Sequence, residues 1–264
     1  MEQLRKGQYS GEVTAVCDLG DAVASVTTYQ QDHFNGLLHY HDNAHISFVL
    51  SGGCVERKKE AYERVPGNIT YFMAGEPHQT LRVSGFSQYI NLEFEEGFFG
   101  RYDLSDHSFF TAVTKKPEMK FLMVKMYREL ATGDTLSALS MENLLLNLLY
   151  QARQPEHNRK FPGWLVRLQE ILYDRWNEKI TLGELSLETG VHPVTISHYF
   201  PKYFSCTLGE YLRKLKVEKA LGLIRSSDRS LTEIAYQCGF SDQSHFIKTF
   251  KSYTHLLPEV YKKL

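Results

Sequence analysis

The last hundred residues carry one pattern twice. The first copy reads Leu185-Ser186-x-x-x-Gly190-Val191-His192, followed by a helical run that ends at Phe200. The second reads Ile234-Ala235-x-x-x-Gly239-Phe240-Ser241, followed by a run that ends at Phe250. The two phenylalanines are 50 residues apart, and the Gly-to-Phe interval is 10 in the first copy and 11 in the second. A repeat limits the fold more than composition does, because each copy has to build the same local unit. Here the unit is a helix, a tight turn and a second helix. Ser186 and Ala235 are small enough for two helices to approach closely. Gly190 and Gly239 supply the left-handed conformation that ends the first helix. Pro193 suits the first turn of the second helix, and Ser241 suits an N-cap. Ile196 and Phe200, like Phe246 and Phe250, lie four apart and face inward, which leaves the opposite side free. This is the pattern of a helix-turn-helix, whose second helix enters the DNA major groove. A single copy would describe any helical hairpin equally well.

Charge supports the DNA reading. The 264 residues have a net charge of −1, but residues 1–159 carry 15 basic and 20 acidic side chains, a net of −5, while residues 160–264 carry 15 and 11, a net of +4. Halves of opposite sign do different jobs, and DNA responds to the local charge of one face. Hydrophobic content of 42% is enough for at least one sizeable core and excludes wholesale disorder.

The front of the chain reads as strands. Residues 25–29, 45–50, 68–73, 80–83 and 89–94 are short runs rich in Val, Ile, Thr, Tyr and Phe, separated by Gly and Pro. That spacing predicts a β sandwich or barrel over residues 8–115. In the run 89–94 the period is two, so Asn91 and Glu93 share a face opposite Leu92 and Phe94. Helical periodicity is expected from Pro117, over 118–131 and 135–152. Leu144, Leu145, Leu148 and Leu149 form an apolar stripe that either pairs two copies of the chain or packs back on the barrel. Residues 153–162 are polar and Pro-bounded, a linker, and residues 163–264 are helical throughout. No run approaches the ~18–20 apolar residues of a membrane span. The four cysteines, Cys17, Cys54, Cys206 and Cys238, show no C-x-x-C spacing. Reduced thiols and a cytoplasmic location are expected.

Residues 231–261, from Leu231 through Gly239, Phe246, Phe250 and Pro258 to Tyr261, closely resemble the signature of the AraC/XylS transcriptional regulators. Residues 181–224 resemble that family's first helix-turn-helix, with Tyr211 and Ala220 in the connecting helix. The resemblance implies two helix-turn-helix motifs bridged by a long helix, with recognition helices reading successive major grooves about 34 Å apart. It places base-reading positions at Val194, Ser197 and His198 in the first recognition helix and at Gln243, Ser244 and Lys248 in the second. Lys202, Lys251 and Lys262 are expected to contact phosphate. The chain departs from the family at Ser205 and His255, where glycine is usual. It also departs at His192-Pro193, a poorer N-cap, and at Pro201, which should end or kink its helix.

The family's front domain is often a cupin-like barrel that senses a small molecule. Here His39-x-His41-x3-His45-x6-Gly52 follows the first cupin motif, with His45 where Glu is typical, and Gly67-x5-Met73-x-Gly75-x2-His78 follows the second. If residues 39–45 stay extended, the three odd-numbered histidines share a face. His39, His41, His45 and His78 then form either a divalent-metal site or the lining of an organic-effector pocket, for a sugar or a small aromatic compound. The sequence therefore predicts a two-domain chain: an N-terminal β domain, a cupin-like barrel plus helices, and an all-α C-terminal domain with two helix-turn-helix motifs. It is expected to be a regulator, not an enzyme. Its expected partners are promoter DNA, a small effector, a second copy of itself and RNA polymerase, with activation as the output. A metal-dependent cupin enzyme with a helical appendage and a regulator with a ligand-blind dimerisation domain are the alternatives.

Overall fold

The computed structural model describes residues 1–31, 36–153 and 161–264. The expected linker at 153–162 falls largely outside the described residues.

Among the described residues ten strands come first: β1 (Glu2–Leu4), β2 (Glu12–Asp18), β3 (Ala22–Gln30), β4 (His39–His41), β5 (Ala44–Ser51), β6 (Cys54–Arg57), β7 (Ala61–Arg64), β8 (Ile69–Phe72), β9 (Gln79–Val83) and β10 (Phe86–Phe94). They form a five-stranded sheet in the order β2-β3-β10-β5-β8 and a three-stranded sheet β7-β6-β9. The short pair β1-β4 is parallel. β10 is the spine of the larger sheet, antiparallel to β3 along its whole length and to β5 on its other side.

The alternation in β10 is as expected, but both of its faces are buried. Ile90, Leu92 and Phe94 belong to the main hydrophobic core. Tyr89 and Asn91 line an internal polar cavity on the opposite side, together with side chains of β6, β7 and β9. The two sheets therefore face each other across that cavity, and helices cover the outer face of the larger one.

Helical structure begins earlier than Pro117. A 3-10 turn covers Phe99–Tyr102, and α1 runs over Asp106–Lys115 with Ser105 as its N-cap, accepting from the Ser108 amide. α2 (Pro117–Thr132) and α3 (Ser137–Arg153) follow as expected within two residues. After the undescribed stretch come α4 (Gly163–Asp174), α5 (Leu182–Thr189), α6 (Pro193–Phe204), α7 (Leu208–Ser226), α8 (Leu231–Gln237), α9 (Gln243–Thr254) and α10 (Pro258–Lys262).

The apolar side chains divide into two principal cores. One holds the outer face of the large sheet, α1–α3, the C-terminal half of α7, and α8–α10. The other holds α4–α6 and the N-terminal half of α7, through Tyr211 and Leu215. Trp176 packs against both. Cys206 sits in the second core and Cys238 in the first, so they are not neighbours. Among the described residues, no helix is long and apolar enough to cross a membrane.

Candidate functional site

Each repeat folds as a helix pair: α5-α6 and α8-α9. Thr181 and Ser230 open α5 and α8 with reciprocal capping boxes to Glu184 and Glu233, each satisfying two N-terminal amide donors. Gly190 and Gly239 take φ of +70° and +71° at the turns. The second helices differ in their starts. His192 caps α6 through Nδ1, which accepts from the Val194 amide at 3.3 Å, so the histidine serves where a poorer cap was expected. α9 is capped by Asp242 rather than by Ser241. The Asp242 carboxylate accepts from the His245 amide at 2.7 Å, and Ser241 donates to Asp242 instead. Pro201 does not end α6. The helix runs another turn to Phe204, whose ring stacks on Phe200 and meets Tyr211. Packing of those rings outweighs the one helical hydrogen bond that proline removes. Ser205 and His255, at the family's glycine positions, close α6 and α9 at φ of +53° and +60°.

Ile196, Phe200, Phe246 and Phe250 are fully buried, and this fixes the outward faces of α6 and α9. Val194, Ser197 and His198 are exposed on α6, with Val194 at 65% of its full accessibility. Lys202 lies over the Tyr199 ring at 4.5 Å and 3.1 Å from His198 Nε2, so His198, Tyr199 and Lys202 form one exposed cluster. On α9, Ser244, Lys248 and Lys251 are exposed. Gln243 is half-buried, and its carbonyl accepts from Thr232 at 2.8 Å, which ties it back to α8. Lys262 donates to the Arg229 carbonyl at 2.5 Å, bracing the end of α10. The exposed rings of Tyr199 and Tyr236 escaped the sequence reading, because aromatic residues in a helix are usually core.

The second candidate is the cavity between the sheets. Its volume is about 30 Å³, room for about two water molecules. Asp42 and Asn43 turn the chain between β4 and β5, so the extended run 39–45 does not form. His39 and His41 remain on β4, and His78 pairs with His39 through a β-bridge. One nitrogen from each of these three rings lies within 4.8 Å of the others. His45, on β5, stacks against Phe72 at 4.7 Å and stands outside that trio.

Two contacts orient the rings. His39 Nδ1 lies 2.9 Å from the Leu37 carbonyl and His78 Nδ1 lies 2.9 Å from the Glu76 carbonyl. A carbonyl only accepts, so each Nδ1 carries a proton, which in the neutral ring leaves the lone pair on Nε2. Burial, then the neighbouring His78 and His39, lowers the His41 pKa to about 3. Burial first also lowers His78 to about 4 and takes His45 well below its ordinary value. These three imidazoles are neutral at ordinary pH, the form that ligates a metal.

Sequence reading did not find the rest of the lining. Glu56 and Arg64 are 2% and 5% exposed, yet face the cavity from β6 and β7. Tyr9, from the N-terminal arm, lies 5.2 Å from the His41 ring. The arm is held by Glu93, which accepts from the Gly7 amide and from Asn43. Only the period-two placement of Cys54 and Glu56 on one strand hints at this lining. Nothing in a single sequence says which face of β6 turns inward.

Residues 185–264 match the family model described as a helix-turn-helix domain. Among curated proteins, the chain is similar to the HTH-type transcriptional activator RhaS of Escherichia coli O81 (strain ED1a). The two are 24% identical over 212 residues, covering 77% of this chain and 74% of that protein. Among solved structures, it is similar to an AraC-type DNA-binding transcriptional regulator from Chromobacterium violaceum, at 20% identity and a TM-score of 0.36, over 38% of this chain and 89% of that one. It is also similar to an apo ToxT variant from Vibrio cholerae, at 13% identity and a TM-score of 0.38, over 93% and 98%. Both overlays are loose. With two helix-turn-helix units in place, the signature at 231–261 and the matched domain, the C-terminal part of the chain is an AraC-type helix-turn-helix domain, and the chain is similar to the AraC/XylS transcriptional regulators.

Proposed function

We propose that this regulator reads promoter DNA with the outward faces of α6 and α9, and that its β region is a cupin-like sensory domain with its ligand site in the cavity between the sheets. The observation that carries the DNA reading is the matched pair of buried faces, Ile196 with Phe200 and Phe246 with Phe250, opposite exposed polar positions. Val194, Ser197 and His198 are the readers on α6, and Ser244 and Lys248 those on α9, with Gln243 acting at its half-buried edge. Lys202, Lys251 and Lys262 serve as phosphate contacts. Lys248→Ala should relax base preference at one operator position, and Val194→Ala should have a smaller effect. A binding assay over an operator library checks this. Equal weakening on all sequences would make Lys248 a phosphate contact. The similarity to an activator supports activation, with RNA polymerase as a further partner in the cytoplasm.

The trio His39, His41 and His78 favours a divalent first-row ion as the cavity's occupant. Three imidazole nitrogens, with two of the rings oriented by backbone carbonyls, suit zinc, nickel or copper, and the cavity is of matching size. A sugar, the other reading, is far larger than two waters and requires Tyr9 and its arm to move away. Stoichiometric zinc in the wild type, lost in His78→Ala, supports the metal. Sugar-dependent DNA binding without metal supports the alternative. Turnover by the metal-loaded chain would instead mark a metal-dependent enzyme.

We propose the outer face of α3 as the dimer contact. Leu139, Leu146 and Tyr150 on α3, and Leu136 in the turn just before it, are exposed with Asn143 between them. Their 3-4-3-4 spacing is that of a coiled-coil seam, and one polar seam residue fixes register.

A further inference from the structure

Among the described residues, Glu56 is the only acidic side chain lining the cavity. Its Oε2 accepts from Thr80 Oγ1 at 3.1 Å and lies 3.8 Å from Arg64 Nη1. Its Oε1 has no hydrogen-bond partner among the described residues, although the side chain is 2% exposed. A buried carboxylate oxygen without a donor is costly, and in native proteins such an atom usually has an occupant to serve. Burial raises the Glu56 pKa, while Arg64 and Thr80 act against that rise.

The cavity has a matching deficit. Imidazole ligands bring no negative charge to a divalent ion in a low-dielectric interior. The position where the cupin motif typically has Glu is His45 here. Glu56 lies on a neighbouring sheet, close enough to His39 for the two to interact electrostatically. It is not part of the trio whose ligand atoms lie within 4.8 Å. Both line one cavity, which has room for an ion and a water.

We propose that Glu56 is the outer-sphere carboxylate of a divalent-ion site at His39, His41 and His78, its free Oε1 accepting a hydrogen bond from water on the ion. Arg64 and Thr80 hold its other oxygen and keep the carboxylate from swinging in to ligate directly. Glu56 is thus a positioning residue that also balances the ion's charge. The inference rests on the metal reading of the cavity given above.

The test is a competition titration of the full-length chain with Zn²⁺ against a chromophoric chelator, for wild type, His78→Ala, Glu56→Gln and the double variant Glu56→Gln/Arg64→Met. Outer-shell partners of this kind change metal affinity by roughly 10–100-fold. Glu56→Gln should therefore weaken Zn²⁺ by that factor while keeping the wild-type circular dichroism. Should Glu56→Gln leave Arg64 stranded and the chain unfolded, the double variant, which removes both charges together, takes its place with the same expected loss. The d–d bands of the Co²⁺-loaded chain should also shift in the Glu56 variant, which a merely structural role would not cause. A wild type that takes up no Zn²⁺, or a His78→Ala variant that binds as the wild type does, overturns the metal reading itself. A wild type that binds, a His78→Ala variant that does not, and Glu56 variants within twofold of wild type with unchanged Co²⁺ bands overturn the role of Glu56 and leave the metal reading standing.

Discussion

Gly190 and Gly239 occupy equivalent places in the two repeats and adopt nearly the same φ, yet their surroundings differ. A Cβ at Gly190 would meet nothing within 4 Å, whereas one at Gly239 would run into the backbone carbonyl of Asn177, between α4 and α5. Asn177 also donates to the Gln237 carbonyl at 3.2 Å, so the Gly239 turn is a seam between the two units. Gly190→Ala should cost about 1–2 kcal/mol, the penalty for a side chain in the left-handed region. Gly239→Ala should cost clearly more, because the overlap adds to that strain. Denaturant titration of both variants checks this, and equal losses would show that the Asn177 contact yields easily. Ser205 and His255 are strained in the same way, so Ser205→Gly should stabilise the chain by about 1 kcal/mol by the same measurement. The two glycine positions were legible from spacing, and the unusual residues at 205 and 255 from the family resemblance. The identity of the α9 cap was not, because Ser241 and Asp242 are adjacent and only geometry decides which one reaches the His245 amide.

α3 shows what helical periodicity can and cannot say. Leu145, Leu148 and Leu149, three of the four residues of the expected stripe, are buried against α1 and α2, and Leu144 is half-buried. The exposed leucines lie on another side of the same helix. A sequence with leucines on two sides identifies a helix with two partners, but does not assign the partners. Leu146→Asp should leave the fold intact, because that side chain is 52% exposed, and should convert a dimer to a monomer in sedimentation velocity. An unchanged sedimentation coefficient would remove α3 from the interface. The same ambiguity applies to β10. Its alternation gave two faces, yet Asn91 and Glu93 are as buried as Leu92, because their side of the strand lies within the β region and not in solvent. Polar residues read as a solvent face from a single strand; only the opposing sheet makes them the wall of a cavity.

Across the whole molecule, the two cores do not follow the charge division at residue 160. α2 packs on α7 and α9, and the ion pairs Lys120–Glu218 and Lys214–Glu118 join α2 to α7 at 2.7 and 2.8 Å. Arg225 donates to the Leu50 carbonyl of β5, and Gly222 lies against Pro66 and Gly67. The second repeat thus shares its hydrophobic core with the sheet, while the first has a separate, smaller one. Trp164 packs on that smaller core alone and Trp176 where the two cores meet. In urea, tryptophan fluorescence should change at lower denaturant than the main loss of far-UV circular dichroism. Coincident transitions would show a single cooperative unit. Sequence revealed both repeats but could not show this asymmetry, which depends on contacts between segments a hundred residues apart.

The shared core has a consequence for the operator. On the proposed dimer, with α9 sharing the core of the sheet and α3 joining two copies, the protein would act as a ruler: the two α9 subsites, the inner pair in that arrangement, would have to lie a set distance and rotation apart. One inserted base pair moves a subsite by about 3.4 Å and roughly a tenth of a turn. An insertion between the inner subsites should therefore abolish tight binding. The same insertion between an inner subsite and its α6 neighbour should be better tolerated, because that reader hangs from its own smaller core. Genetic drift in promoter spacing would be filtered accordingly, strictly at the centre of the operator and leniently at its flanks.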